Sequence, residues 1–283
     1  QIGDGTGGGH NGLPNYRLPE YNVYFDARVL EEAGTEFWYT EDFDDSAWSN
    51  ATELGAAPCE PWNDLHPRSI PLLKDFGLKE YENMADYAGY TTTKEETLAM
   101  EVPYNAQLTP YLKVEAPAGL EIDMRTDNYA DPAGNGLSTR NTYVTREGVQ
   151  EFEGLSWMNG QVVYYKIPAG VKIISLQYRE SGYNTEFEGS FTSDDEFFNT
   201  LWEQSLRTLY ITMRDNFMDC PDRERAQWWG DVTNEMMMMM YSLDTNSYDL
   251  YEKGLDTLMG WTTDNNVLHT VVPCHGNDGQ IGR

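Results

Sequence analysis

Two periodicities divide the chain. After Pro19 apolar residues fall on alternate positions (Tyr21, Val23, Phe25, Ala27, Val29), the two-residue repeat of a half-buried strand. The stretch from Thr35 to Thr40, with Phe37, Trp38 and Tyr39, has the same β character, and Phe43-Asp44-Asp45-Ser46-Ala47-Trp48 forms an acidic turn with two aromatic anchors. Residues 59–95 are punctuated by proline and irregular. Between about 98 and 190, short β-branched or aromatic runs recur: Pro110 to Val114, Leu120 to Arg125, Thr142 to Arg146, Val162 to Ile167 and Val171 to Tyr178. Turn clusters such as Pro117-Ala118-Gly119 and Asp131-Pro132-Ala133-Gly134 separate them, a rhythm that predicts a β-sandwich or jelly roll.

At Ser193 the repeat becomes helical. Ser193-Asp194-Asp195-Glu196 has the form of a capping box, in which the serine hydroxyl and glutamate carboxylate satisfy backbone donors reciprocally. Phe198, Leu201, Trp202, Leu206, Leu209, Tyr210 and Met213 then make one apolar stripe. A second helix is predicted over Val232 to Leu243 and a third over Tyr248 to Met259, with Ser247 as its cap. The run Met236 to Met240 covers every face of its helix, which predicts buried core filler. The fold class is therefore multidomain β + α, a jelly-roll-like sandwich region followed by helices.

Composition narrows the function. With 283 residues, 47 acids against 19 bases and a net charge of −28, the chain lacks the basic footprint that nucleic acid or an anionic membrane surface demands. Eight Trp and 19 Tyr exclude an acidic disordered protein. Three distant cysteines fit neither a disulfide scaffold nor a zinc site. No apolar run approaches the ~20 residues that span a bilayer, so no membrane insertion is expected. The glycine-rich start, Gly3 to Gly12, is followed by Pro14 and Pro19 and suits a surface loop rather than a phosphate cradle. His269, His275 and Asp278 match no standard zinc spacing, and no metal or cofactor is expected. Asn50-Ala51-Thr52 is a glycosylation sequon, and the compartment stays open, with periplasm or exterior favoured over cytoplasm.

The chemistry concentrates in Asp219-Cys220-Pro221-Asp222-Arg223-Glu224-Arg225-Ala226-Gln227-Trp228-Trp229-Gly230-Asp231, with four carboxylates, two arginines and two tryptophans. Indoles desolvate a carboxylic acid and raise its pKa, as an acid that protonates a glycosidic oxygen requires, and they also stack on sugar rings. Arginines keep neighbouring carboxylates ionised and oriented. Composition alone equally allows a solvated charged loop whose tryptophans pack on the core.

This loop resembles the active-site loop of the α-L-rhamnosidases of glycoside hydrolase family 78. Phe191 to Asp195 through Trp202 resembles the start of that family's helical barrel, and Phe43 to Trp48 and Arg68-Ser69-Ile70-Pro71 are similar to segments that precede it. The resemblance implies an N-terminal β-sandwich piece and linker over 1–95, a second β-sandwich over 96–190, and the start of an (α/α)6 barrel over 191–283. It implies Glu224 as general acid and Asp219 and Asp231 as rhamnose-binding carboxylates. Arg223, Trp228 and Trp229 would belong to the same pocket. The implied reaction is inverting release of terminal α-L-rhamnose from a rhamnose-containing carbohydrate. The stretch after Asp231 is long enough for two or three helices of ~11–12 residues. The general base is thus expected beyond residue 283, and the chain, read as a fragment, is expected to be inactive alone. Glu235 and Glu252 read as structural. Three alternatives remain: a lyase acting on rhamnose next to a uronate, another (α/α)6 glycosidase, and a non-catalytic carbohydrate-binding module.

Overall fold

The computed structural model describes residues 23–32, 39–63, 65–129, 139–222, 225–262 and 267–272. The glycine-rich start, Phe37, Trp38, the Asp131–Gly134 turn, His275 and Asp278 lie outside them. Eight strands make one sheet: β1 (Val23–Asp26), β2 (Lys74–Glu80), β3 (Glu96–Ala116), β4 (Glu121–Thr126), β5 (Asn141–Val144), β6 (Gly148–Glu153), β7 (Met158–Ile167) and β8 (Lys172–Gly182). Their order is β1-β5-β4-β7-β3-β8-β2, with β6 also paired to β3. All pairs are antiparallel except β1 with β5.

The long strand β3 organises this sheet. Its first part pairs with β7, a register shift falls between Glu101 and Ala106, and Tyr111–Ala116 pairs with β6. Alternate residues along it (Leu98, Met100, Val102, then Leu108, Leu112, Val114) point into the core, as a period of two requires. One apolar cluster takes Val23 from β1, Ile122 and Met124 from β4, Tyr165 from β7 and Tyr178 from β8. A single core shared by strands so far apart in the order requires the sheet to curl around it. β1 and β2, from the first 95 residues, are hydrogen-bonded into the same sheet as the strands of 96–190.

The first alternation ends earlier than its pattern suggests. The Asp26 carboxylate accepts from the Arg28 backbone N–H at 3.1 Å and from its guanidinium at 2.9 and 2.7 Å. The chain turns there into α1 (Arg28–Glu32), which leaves Val29 exposed.

Three longer helices follow the sheet: α2 (Glu196–Ile211), α3 (Trp229–Ser242) and α4 (Asn246–Gly260). The cap of α2 is Asp195, whose carboxylate accepts from the Phe197 N–H at 3.0 Å. Ser193 instead accepts from the Asp195 N–H at 3.1 Å, so the aspartate beside the helix takes the role expected of the serine. Ser247 lies inside the first turn of α4 and donates to the Asp244 carbonyl at 2.6 Å. A second apolar cluster joins Leu209, Met213, Phe217, Val232, Met236, Met239 and Leu250, with Ile70 from the proline-rich segment. Only Met236 and Met239 of the methionine run are buried, while Met237, Met238 and Met240 are exposed. The run is not core filler throughout, because α3 packs on one side and a spacing of three keeps only that pair on it.

Specific contacts lock the helices to the sheet. Gln107 of β3 donates to the Ile211 and Met213 carbonyls at 2.7 and 3.2 Å, satisfying orphan acceptors at the end of α2. Tyr210 donates to the Tyr183 carbonyl at 2.9 Å. At Gly189 a Cβ would stand 2.1 Å from the Tyr241 carbonyl oxygen, so only glycine lets this segment lie against the end of α3.

Candidate active site

The segment between α2 and α3 is held from both ends. Met213 and Phe217 form an isolated antiparallel bridge, and the Met218 N–H donates to the Thr212 carbonyl at 2.8 Å. The Asp219 N–H donates to the Ala226 carbonyl at 3.0 Å, and the Ala226 N–H donates to Asp219 Oδ1 at 3.1 Å. The chain then forms β9 (Gln227–Trp228), antiparallel to β10 (Val271–Val272), and the Trp229 N–H donates to the Thr270 carbonyl at 2.9 Å. Asp219 is thereby fixed by the backbone of the residue that leads into the two tryptophans.

Arg225 ties this segment to the sheet. It is buried and has φ of 50°, a left-handed conformation that costs a non-glycine residue free energy. Its guanidinium lies 3.3 Å from the centroid of the Trp157 ring and donates to the Pro221 carbonyl at 2.8 Å and the Tyr129 hydroxyl at 3.1 Å. Tyr129 in turn donates to the Asp222 carbonyl at 3.1 Å. Arg214 lies over the same Trp157 at 4.6 Å and donates to Gln107 Oε1 at 2.7 Å. Burial lowers its pKa to about 10. Trp157 and Tyr129 are anchors that the sequence did not reveal, since nothing in their local pattern links them to a loop far along the chain.

The acids gather around the start of α3. Asp219 is half-buried, and Asp231 is exposed in the first turn, where the positive helix end favours an anion. Trp228 and Trp229 are half-buried beside them, and among the described residues no acceptor meets the buried Trp229 Nε1. Arg223 and Glu224, the expected pocket arginine and general acid, lie outside the described residues. Glu235, one helical turn after Asp231, belongs to the same group. It is 8 % exposed, and its Oε2 has no hydrogen-bond partner among the described residues. Burial above all pushes its pKa up, a hydrogen bond with Thr212 pulls the other way, and the charges of Asp231 and Asp219 add to the rise, leaving it at about 8. Its one sequence signal was the i, i+4 spacing from Asp231, which places both on one helix face.

A cleft of about 750 Å³ lies elsewhere, between the sheet and α2, lined in part by Phe76, Tyr104, Glu180, Phe187, Arg207 and Tyr210. Its chemistry is structural. Glu180 pairs with Lys79 at 2.6 Å and Arg207 at 2.9 Å and accepts from the Tyr104 hydroxyl at 2.9 Å. Cations already stand over the aromatic rings, Arg207 4.1 Å from the Tyr104 centroid and Lys79 5.1 Å from that of Phe76.

Comparison with known proteins bears on the loop. Residues 186–282 match the bacterial alpha-L-rhamnosidase 6 hairpin glycosidase domain. An alpha-L-rhamnosidase of Formosa agariphila is 25 % identical over 260 residues, covering 84 % of this chain and 25 % of that protein. The chain therefore spans about a quarter of the length of this curated relative. A glycoside hydrolase family 78 rhamnosidase of Bacillus sp. GL1 aligns at 25 % identity with a TM-score of 0.57, over 63 % of this chain and 19 % of that one. The fold alone is shared with a Streptomyces avermitilis alpha-L-rhamnosidase solved with L-rhamnose, at 19 % identity and a TM-score of 0.73, over 93 % of this chain and 25 % of that one. In its order of sheet then helices, and in the segment that holds the Asp219–Asp231 loop, the chain is similar to the bacterial α-L-rhamnosidases of glycoside hydrolase family 78, as its motif implied.

Proposed function

We propose that this chain supplies the acid half of the active site of a glycoside hydrolase that releases terminal α-L-rhamnose from a carbohydrate. The observation that carries this reading is that the matched segment, 186–282, encloses the whole Asp219–Asp231 loop, and the fold sets the ends of that loop beside a third acid, Glu235. In this reading Glu224 protonates the departing glycosidic oxygen, while Asp219 and Asp231 accept hydrogen bonds from rhamnose hydroxyls. Trp228 and Trp229 give the sugar an apolar wall, and Arg223 orients the carboxylates. A neutral sugar suits a site that presents carboxylates as acceptors, because its hydroxyls donate to them without charge repulsion.

The reaction is inverting, with water activated by a carboxylate on later hairpins, ~6.5–9.5 Å from the acid to leave room for that water. In domain terms, the β module over 96–190 takes up strands of 1–95 at its edges, and 191–283 opens the helical barrel. The test is cleavage of an aryl α-L-rhamnoside by a protein that carries this chain within a whole six-hairpin domain. Glu224→Gln should lower kcat by ~100-fold or more for a natural glycoside, whose poor leaving group needs the proton. Proton NMR of the first-formed sugar should show the β anomer. Unchanged turnover in Glu224→Gln refutes the acid assignment, and an α anomer refutes inversion.

A further inference from the structure

Glu235 stands apart from Glu180, the other buried acid among the described residues. Its helix places it one turn from Asp231, and its Oε2 is buried with no hydrogen-bond partner among the described residues. Among the described residues, the charges that act on it are both negative, Asp231 from its own helix and Asp219 from the loop. From α2 and the residues after it, Glu235 is met by the Thr212 hydroxyl. Arg214, the cation on that side, is turned toward Gln107 and Ser181 instead. The segment bonded to Trp229 contributes one further titratable group, the buried His269. Thr212 has a single hydroxyl hydrogen, which its Oγ1 donates to the Leu209 carbonyl at 2.8 Å. Turned to Glu235 instead, that hydroxyl would favour the ionised acid, and burial together with the two negative charges outweighs it.

On the reading of the loop as a rhamnose site, we propose that Glu235 is a positioning residue for it: a carboxylic acid kept neutral in the wall, so that Asp219 and Asp231 are the anions that meet the sugar. A third negative charge beside them would repel the two carboxylates and shift them from the sugar hydroxyls that donate to them. The pKa of about 8 fits this role, since the acid then stays protonated through neutral pH. The role differs from that of a general acid. Glu235 gives no proton to the reaction and acts only through the placement and charge of its neighbours.

The decisive experiment uses the chain itself, labelled with carbon-13 at the side-chain carboxyls and titrated by NMR. Glu235 should titrate near pH 8. The Asp231 carboxyl signal should show a second step at that same pH, and the step should vanish in Glu235→Gln, which is neutral at every pH. A midpoint for Glu235 in the ordinary carboxylate range, or an Asp231 signal with no second step, overturns the proposal, and the native chain alone decides the first of these. L-rhamnose binding followed over the same pH range separates the two layers of the reading. Affinity should fall above the Glu235 midpoint by on the order of tenfold per pH unit, as loss of one required proton dictates, and Glu235→Gln should hold it constant. Equal falls in both proteins overturn the positioning role. Absence of rhamnose binding at any pH, with both carboxyl steps present, overturns the sugar assignment and leaves the neutral acid standing.

Discussion

Two buried glutamates show how differently the sheet and the loop treat the same side chain. Glu180, on β8, is 1 % exposed, and burial alone would raise its pKa. Lys79 and Arg207 more than offset that, by hydrogen bonds and by charge, and hold it below the usual value. Glu235, on α3, is 8 % exposed and has two carboxylates for company instead of two cations, so burial and charge act together. In the sheet the acid is neutralised by partners that join it to α2. Beside the loop it is neutralised by holding its proton. The first arrangement fastens two layers together, whereas the second leaves a wall that responds to pH, and perturbed acids of that kind concentrate at functional sites.

The largest effect should come from removing the paired charge. Glu180→Gln leaves Lys79 and Arg207 without their common anion and should cost ~3 kcal/mol, read as a lower midpoint in urea unfolding. The equivalent change at Glu235, to glutamine, should cost far less and should stabilise the chain above about pH 8, where the native acid is forced to ionise.

The pH dependence should have opposite signs at the two sites. Glu180 is lowered in the folded state, so its contribution is complete above its unfolded value near 4.5 and is lost as pH falls through the folded pKa. Glu235 is raised, so the folded chain binds the extra proton between pH 4.5 and about 8, and stability falls as pH rises through that window. The slope there should approach ~1.4 kcal/mol per pH unit and disappear in Glu235→Gln, as thermal melts across the window would show. A flat native profile would contradict the neutral acid.

Tyr104→Phe removes one hydrogen bond to Glu180 and should cost about 1 kcal/mol by the same unfolding assay. The smallest effect belongs to Asp231→Asn, which deletes one of the negative charges that raise Glu235. It should move the Glu235 midpoint downward by less than burial does, since burial is the larger cause. An upward movement would mean that Asp231 does not face it as described.

The order of sheet then helices was legible because it rests on periodicity, and the strands near 110–114, 120–125 and 171–178 fall where alternation put them. The Asp219–Asp231 loop was legible because its density of acids, arginines and indoles is local. The features hidden from the sequence depend on distance along the chain or on which face finds a partner. Asp26 bends the first strand into α1 through contacts with Arg28 that alternation cannot register. The methionine run looks uniformly apolar, yet only Met236 and Met239 meet the core. Trp157 and Tyr129 hold the loop from a different layer. Glu235 read as one more helical acid, because only the fold could show that it is buried with the charges of Asp219 and Asp231 both acting on it.

The most direct test of the sugar reading is titration of the chain with L-rhamnose at neutral pH, followed by fluorescence of Trp228 and Trp229. Assigning the signal requires Trp228→Phe and Trp229→Phe, because other tryptophans contribute. A saturable change that is lost in Asp231→Asn and in Asp219→Asn is the expected result. No saturable change, or binding that survives both substitutions, would contradict the placement of a rhamnose pocket at this loop.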